Sequence, residues 1–256
     1  MRLQAYLDEG NNLIGKKTGR SVPIDVKDAK KTIIKECKNA MRSTPIYRGV
    51  NNDARALFIE PKKSTRLSEY TDNYYMLLFQ LLPSWKKYPK LSKSVIGVTS
   101  VGKSTNWASE SFRVYPYDGY DIGVCPAEHF WGSFKKVNGM DILNEKLMDF
   151  LDYYNRDHKQ LKNFSPKETD PNVLKAEFEK IDKLKLEKTF DNIFEEYFFG
   201  GEKVIKTFDR IFSSEDNGFS LEDSGSTYNI PFARQIWTEA PCILLSKKEE
   251  KRFKKG

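Results

Sequence analysis

The chain predicts an α+β fold: a β-sheet core entered through an N-terminal helix and interrupted by a helical insertion. Three observations carry this. Ala29, Ile33, Cys37 and Met41 recur at every fourth position, the apolar stripe of a helix packed on one side. Short apolar runs near 46–50, 94–100, 112–115 and 236–245 have the length of strands and are bounded by turn residues. From about Met140 to Phe212 the texture changes to a helical period, and strand-like runs resume only afterwards. The regular strand–helix alternation of a parallel, doubly wound sheet is absent.

In chain order, residues 1–24 mix Gly, Asn and Lys and read as a short strand or irregular lead-in. The helix over Asp25 to Met41 stops before Pro45, and Ile46-Tyr-Arg-Gly-Val reads as a short strand. Tyr70, Tyr74, Leu77, Leu78 and Leu81 mark one face of a helix over 67–82, which Pro83 ends. Ser94-Val-Ile-Gly-Val-Thr-Ser is a strand, followed by a short helix near Ser104–Glu110 and a second strand, Phe112-Arg-Val-Tyr. Tyr117-Asp-Gly-Tyr is a turn leading to a strand at Asp121-Ile-Gly-Val-Cys. In the insertion, Leu143, Leu147, Phe150, Leu151 and Tyr154 share a helical face; Ser165-Pro-Lys-Glu has a cap signature, with Asp170-Pro171 a competing start. Residues 213–231 read as a polar loop, and Ile236-Trp with Ala240-Pro-Cys-Ile-Leu-Leu as a final strand.

At 256 residues the chain is long enough to bury a full core, and we read it as a single domain, 1–256, containing the insertion at 140–212. Its 39% hydrophobic and 13% aromatic content excludes a disordered chain. The net charge of +7 favours an anionic partner, either nucleic acid or a negatively charged cofactor. The basic cluster from Lys247 to Lys255 supplies much of the excess and reads equally as a solvated tail or a functional one. Cys37, Cys125 and Cys242 are too sparse and too few for a disulfide framework, and His129 and His158 lack zinc-site spacing, so no metal is expected. No apolar run of membrane-spanning length occurs, and the opening residues lack a signal-peptide core. The expectation is a soluble, cytoplasmic protein without a membrane partner.

Three short segments carry chemistry. Tyr47-Arg48-Gly49 places a guanidinium on an early strand, where its fork matches phosphates bidentately. Thr99-Ser100 ends the next core strand with hydroxyls, and Phe232-Ala-Arg-Gln-Ile-Trp puts Gln235 at the head of a later one. In this order the set resembles the Arg–Ser–Glu layout of ADP-ribosyltransferases, across roughly residues 45–135 and 225–245. The segments from Arg66 to Tyr74 and from Leu82 to Lys90 resemble phage-associated and bacterial members of that superfamily.

The resemblance implies an ADP-ribosyltransferase-like split mixed β-sheet core and a mono-ADP-ribosyltransferase using NAD, a toxin-like enzyme of anti-phage conflict neutralised by an antitoxin protein. Arg48, Gly49, Ser94, Thr99, Ser100, Arg66 and Asn73 would then bind the cofactor, with Ser100 or Ser94 ordering the site. Val98 stands where the family's first hydroxyl is expected. The catalytic carboxylate position is occupied by Gln235, which keeps size and hydrogen bonding but loses the charge that stabilises an oxocarbenium-like ribose. A natural inactive relative and an engineered Glu→Gln substitution both explain it, and the engineered explanation is favoured. Tyr228, Phe232 and Arg234, in the expected substrate loop, would contact the target. Ala233 lies two residues before Gln235, where arginine-modifying members have Glu; this argues against an arginine acceptor and leans towards RNA over a protein target.

Taken singly, the residues have plainer readings: Arg48 as a salt-bridged surface residue, Thr99 and Ser100 as strand-end hydroxyls, Gln235 as a solvent-facing polar group, Tyr47 and Trp237 as core. Two rival functions also stand. Gly97-Val-Thr-Ser-Val-Gly-Lys-Ser104 satisfies the spacing of a phosphate-binding loop, with Lys103 and Ser104 in the phosphate and magnesium positions of a nucleotide triphosphatase. Its context is poor, because strand returns about eight residues later and no acidic partner strand follows. The third reading is a non-catalytic binding module with a degenerate transferase fold.

Overall fold

The computed structural model describes residues 21–63, 74–105, 108–134, 170–183 and 202–254. The fold is α+β. Among these residues nine strands form one sheet: β1 Ser21–Pro23, β2 Ile46–Val50, β3 Ala56–Ile59, β4 Val95–Val98, β5 Glu110–Pro116, β6 Asp121–Val124, β7 Ser220–Asp223, β8 Gln235–Thr238 and β9 Cys242–Ser246. Their spatial order is β1-β3-β9-β5-β2-β4-β8-β6-β7. Every ladder between them is antiparallel, which corrects the expectation of a mixed sheet.

The helices are α1 Val26–Glu36, α2 Lys38–Arg42, α3 Tyr74–Leu81, α4 Val101–Ser104, α5 Pro171–Lys183, α6 Val204–Ile211 and α7 Lys247–Phe253. The chain divides into two compact units, one of residues 1–70, 88–129 and 219–256, the other of 71–87 and 130–218. The second unit thus holds the expected insertion together with the α3 segment. Residues 140–169 and 184–201, and with them the Ser165 start signal, lie outside the described residues. Where description resumes, Asp170 starts α5 by accepting from the Asn172 amide at 2.9 Å.

In the first unit the sheet is covered on one face by α1. Asp25 caps that helix, accepting from the Lys27 and Asp28 amides, and Ala29 and Ile33 pack on Ala56, Tyr115, Ile243 and Leu245. The expected single helix to Met41 breaks at Cys37, whose backbone leaves helical geometry (φ −129°, ψ 38°). Asp118 receives the freed amides of Lys38 and Asn39. The opposite face buries Ile46, Val50, Phe112, Val114, Ile236 and Leu244, together with Tyr228 and Ile230. In the second unit, Phe79, Trp85, Phe130, Phe134 and Phe212 interlock, mostly edge to face, with ring centroids from 4.8 to 6.2 Å apart.

Four further differences from the sequence expectation have local causes. Ala56-Leu-Phe-Ile forms β3, too short an apolar run to declare itself. Ser220–Asp223, inside the expected loop, pairs with β6. The single terminal strand is two strands, because Pro241 interrupts it: β8 pairs with β4 and β6, β9 with β3 and β5. The basic C-terminal cluster is helix α7, not a solvated tail: Glu249 pairs with Arg55 at 2.7 Å, and Glu250 with buried Arg113 at 3.0 Å.

Candidate functional site

The strands carrying Arg48, Thr99–Ser100 and Gln235 are neighbours in the sheet, in the order β2-β4-β8. Tyr47 lies opposite Val98, and Val98 opposite Gln235. Residues directly opposite share a face, so Tyr47, Val98 and Gln235 lie on one side of the pleat, with Arg48 and Ile236 on the other. The sheet therefore brings the three motif strands together but does not turn Arg48 and Gln235 to the same face. Arg48 donates from Nη1 to the Ile96 carbonyl at 2.7 Å. Gln235 is 2% exposed, so it is not the solvent-facing polar residue of the plainer reading. Its carbonyl accepts from the Cys125 amide at 2.9 Å, tying β8 to the end of β6.

The hydroxyls have structural occupations. Thr99 Oγ1 donates to the Pro231 carbonyl at 2.7 Å and accepts from the Arg234 amide at 2.9 Å. A backbone bond from the Thr99 amide to the Arg234 carbonyl completes this clamp. It holds a turn in which Ala233 adopts φ +57° and Phe232 stands 76% exposed. Ser100 caps α4 by accepting from the Lys103 amide, and Ser94 donates to the Lys90 carbonyl at 2.8 Å. Gly49 is required by packing: a Cβ there would meet the Ser104 carbonyl oxygen at 2.2 Å. Of the expected target contacts, Phe232 is exposed and Arg234 half-buried, but Tyr228 is corrected to core, 4% exposed among Ile230, Ile236 and Val114. At that exposure no face of the ring is open to a base, and the same burial pushes its hydroxyl pKa well up. Arg66 and Asn73 lie outside the described residues.

The triphosphatase spacing is not built as a phosphate cradle. Gly97 sits inside β4 opposite Ile236, and the helix after it has four residues, Val101–Ser104, in place of the expected 104–110 segment. Ser104 Oγ is committed to the Val101 carbonyl at 2.8 Å and to Ser111 Oγ at 2.6 Å.

Lys103 instead points to a group that the sequence reading missed. Its Nζ lies 2.8 Å from Glu128 Oε2, in the loop after β6. The Lys103 hydrogen bond and charge, with contributions from His129 and Arg234, hold the Glu128 carboxyl below its usual range. Burial pushes the adjacent His129 pKa down, and Lys103 acts in the same direction while Glu128 opposes both. His129, half-buried, thus follows Glu128 in the loop after β6 as an imidazole whose burial disfavours protonation. Only the unusual presence of one of two histidines in Pro126-Ala-Glu-His129 hinted at this group.

Among the described residues, no group of three or more His, Cys, Asp or Glu could hold a metal, and no helix is long and apolar enough to cross a membrane. Cys37 and Cys242 are buried thiols whose pKa burial drives far up, which removes them as nucleophiles at neutral pH. No protein-family model, curated protein or solved structure matches the chain.

Proposed function

We propose that the protein has the ADP-ribosyltransferase fold and is a mono-ADP-ribosyltransferase of toxin type, using NAD, silenced at Gln235 and acting on a macromolecular target, RNA in preference to protein. An antitoxin protein in an anti-phage setting and a cytoplasmic location belong to the same proposal. The observation that carries it is the adjacency of β2, β4 and β8, which unites in one part of the sheet three motifs that lie far apart in sequence. The exposed Phe232 and half-buried Arg234, clamped beside Gln235, support contact with a target base by stacking. Attack by the target nucleophile on the nicotinamide-bearing ribose carbon would break the glycosidic bond, with nicotinamide leaving on that electron pair.

A specific observation favours the second reading, a non-catalytic binding module. Arg48 is engaged with Ile96 on the other side of the pleat from Gln235, and Ser94, Thr99 and Ser100 all serve turns or caps. The experiment separates the two. Gln235→Glu protein is incubated with labelled NAD and cell extract, with Arg48→Ala in the same background as control. Label in RNA supports transfer and the acceptor class, and label in protein moves the acceptor. No label in either fraction, with NAD binding indifferent to Arg48→Ala, leaves the binding module.

A further inference from the structure

The sequence of α7, Lys-Lys-Glu-Glu-Lys-Arg through its first six residues, mixes both signs of charge, and the fold sorts them. Glu249 and Glu250 are turned inward, 1% and 5% exposed. Glu249 is matched by Arg55 at 2.7 Å and Arg252 at 2.8 Å, and Glu250 by Arg113 at 3.0 Å and Lys254 at 2.7 Å. The acids are thus neutralised by Arg55 and Arg113 from the sheet side and by Arg252 and Lys254 from the end of the helix, and Lys247, Lys248 and Lys251 are left exposed with no ion pair among the described residues.

Helix α1 lies alongside. Lys30 Nζ is 4.0 Å from Glu249 Oε2 and 5.9 Å from the Phe253 ring centroid, which fixes the side of α1 that faces α7. At about 100° per residue, Lys27 and Lys31 fall on the outer face adjoining that side; Asp28 borders it about 60° beyond Lys31, away from α7, and Glu36 lies further round. Glu36 is moreover paired with Lys35 at 2.7 Å. Lys27 and Lys31 are exposed and likewise have no ion pair among the described residues.

We infer that the paired outer faces of α1 and α7 form a binding surface for the phosphate backbone of a single-stranded nucleic acid. Charge complementarity is the basis: five exposed lysines, without an ion pair among the described residues, stand on two neighbouring helices of a chain whose net charge is +7. Lys27/Lys31 and Lys247/Lys251 are each one helical turn apart, about 6 Å along the axis, close to two phosphate steps of a stacked strand at about 3.4 Å each. Lysines act there as point charges, so the contact is independent of sequence. The face lacks the apolar stripe by which a helix enters a lipid interface, since Ile34 is the only large apolar side chain exposed on either helix. The inference goes beyond the transferase reading and holds whether or not the protein transfers ADP-ribose.

The test is fluorescence anisotropy of labelled mixed-sequence single-stranded RNA and DNA with the full chain, titrated between 50 and 200 mM salt. Five contacts at about 0.7 counterion per phosphate give a log–log salt slope near −3.5, an affinity loss on the order of 10²-fold over that range. The variant K27Q/K31Q/K247Q/K248Q/K251Q should lose most of that slope with an unchanged melting temperature, and the five-arginine variant should restore it. Lys175→Gln with Lys203→Gln and Lys206→Gln, in the second unit, should leave it unaltered. Equal binding of RNA and DNA marks a pure backbone contact, and preference for RNA adds a 2′-hydroxyl contact; either supports the inference. An unchanged slope in the five-glutamine variant overturns it, as does tighter binding to polyglutamate or to phosphatidylserine vesicles than to both nucleic acids.

Discussion

Replacing Thr99 by Val asks whether the turn that presents Phe232 and leads into Gln235 is held from the end of β4. Thr99 is 5% exposed, and Val keeps its branched shape while deleting the hydroxyl. Two hydrogen bonds disappear, the 2.7 Å donation to the Pro231 carbonyl and the 2.9 Å acceptance from the Arg234 amide, while the 3.0 Å backbone bond to Arg234 remains. A buried polar group left unpaired costs about 1–3 kcal/mol. Pro231 is exposed and Arg234 half-buried, so water can recover part of this; the lower end applies and the sum is about 2 kcal/mol. For a chain of this size that lowers Tm by roughly 4–8 °C. Urea unfolding of wild type, Thr99→Val and Thr99→Ser is the assay; Ser retains both bonds and should lose less than Val. If Thr99→Val unfolds within about 0.5 kcal/mol of wild type, the clamp is not what holds the turn.

Four further outcomes follow from the packing and charges. Gly123→Ala should destabilise by about 1–3 kcal/mol and alter tryptophan fluorescence: its Cβ would fall 2.2 Å from the Trp237 ring, which Tyr88 and a 2.8 Å bond to Pro89 hold in place. Wild-type stability in that variant would show that the ring can move. Ala233→Val should destabilise and Ala233→Gly should not in chemical unfolding, since a branched side chain at φ +57° clashes with its own backbone. Glu250→Ala should cost about 3 kcal/mol in the same assay by stranding Arg113, whose Nε already finds no partner among the described residues; a cost under about 1 kcal/mol would deny the buried pair its role. Burial lowers the His129 pKa in the folded chain, so the unfolded chain takes up its proton first as pH falls. Its contribution is complete above the unfolded value of about 6.5 and is lost as pH falls below it; His129→Gln should flatten the fall in stability that sets in there.

How much was readable in advance depended on whether the signal was local. The stripe of Ala29 and Ile33 marked α1, because a helix's pattern lies within its own residues, and Asp170-Pro171 marked the start of α5 through the cap it forms. Strands that were short or lay at an edge, β3 and β7, carried too few residues to show a period. The motif residues were legible as types but not as environments. Tyr228 looked like a loop aromatic and is core, because Ile230 and the sheet close over it; Gly49 was legible as a motif glycine, but not as the residue that lets the Ser104 carbonyl of α4 approach β2. Glu128 and His129 were passed over because their neighbour Lys103 is 25 residues away, and nothing in the spacing couples them.

By itself, then, the sequence determined the α+β class, the first helix, the main β runs and the exclusion of a disulfide framework, all consequences of composition and short-range periodicity. Tertiary structure alone decided the antiparallel strand order that gathers β2, β4 and β8, and the pleat phase that sends Arg48 and Gln235 to opposite faces. It also decided the inward turn of Glu249 and Glu250, which leaves a basic face on α1 and α7. The reason is physical: pairing register and the partner of a buried charge depend on residues distant in the chain, whose approach is selected by burial of the whole core, and no local pattern encodes that choice.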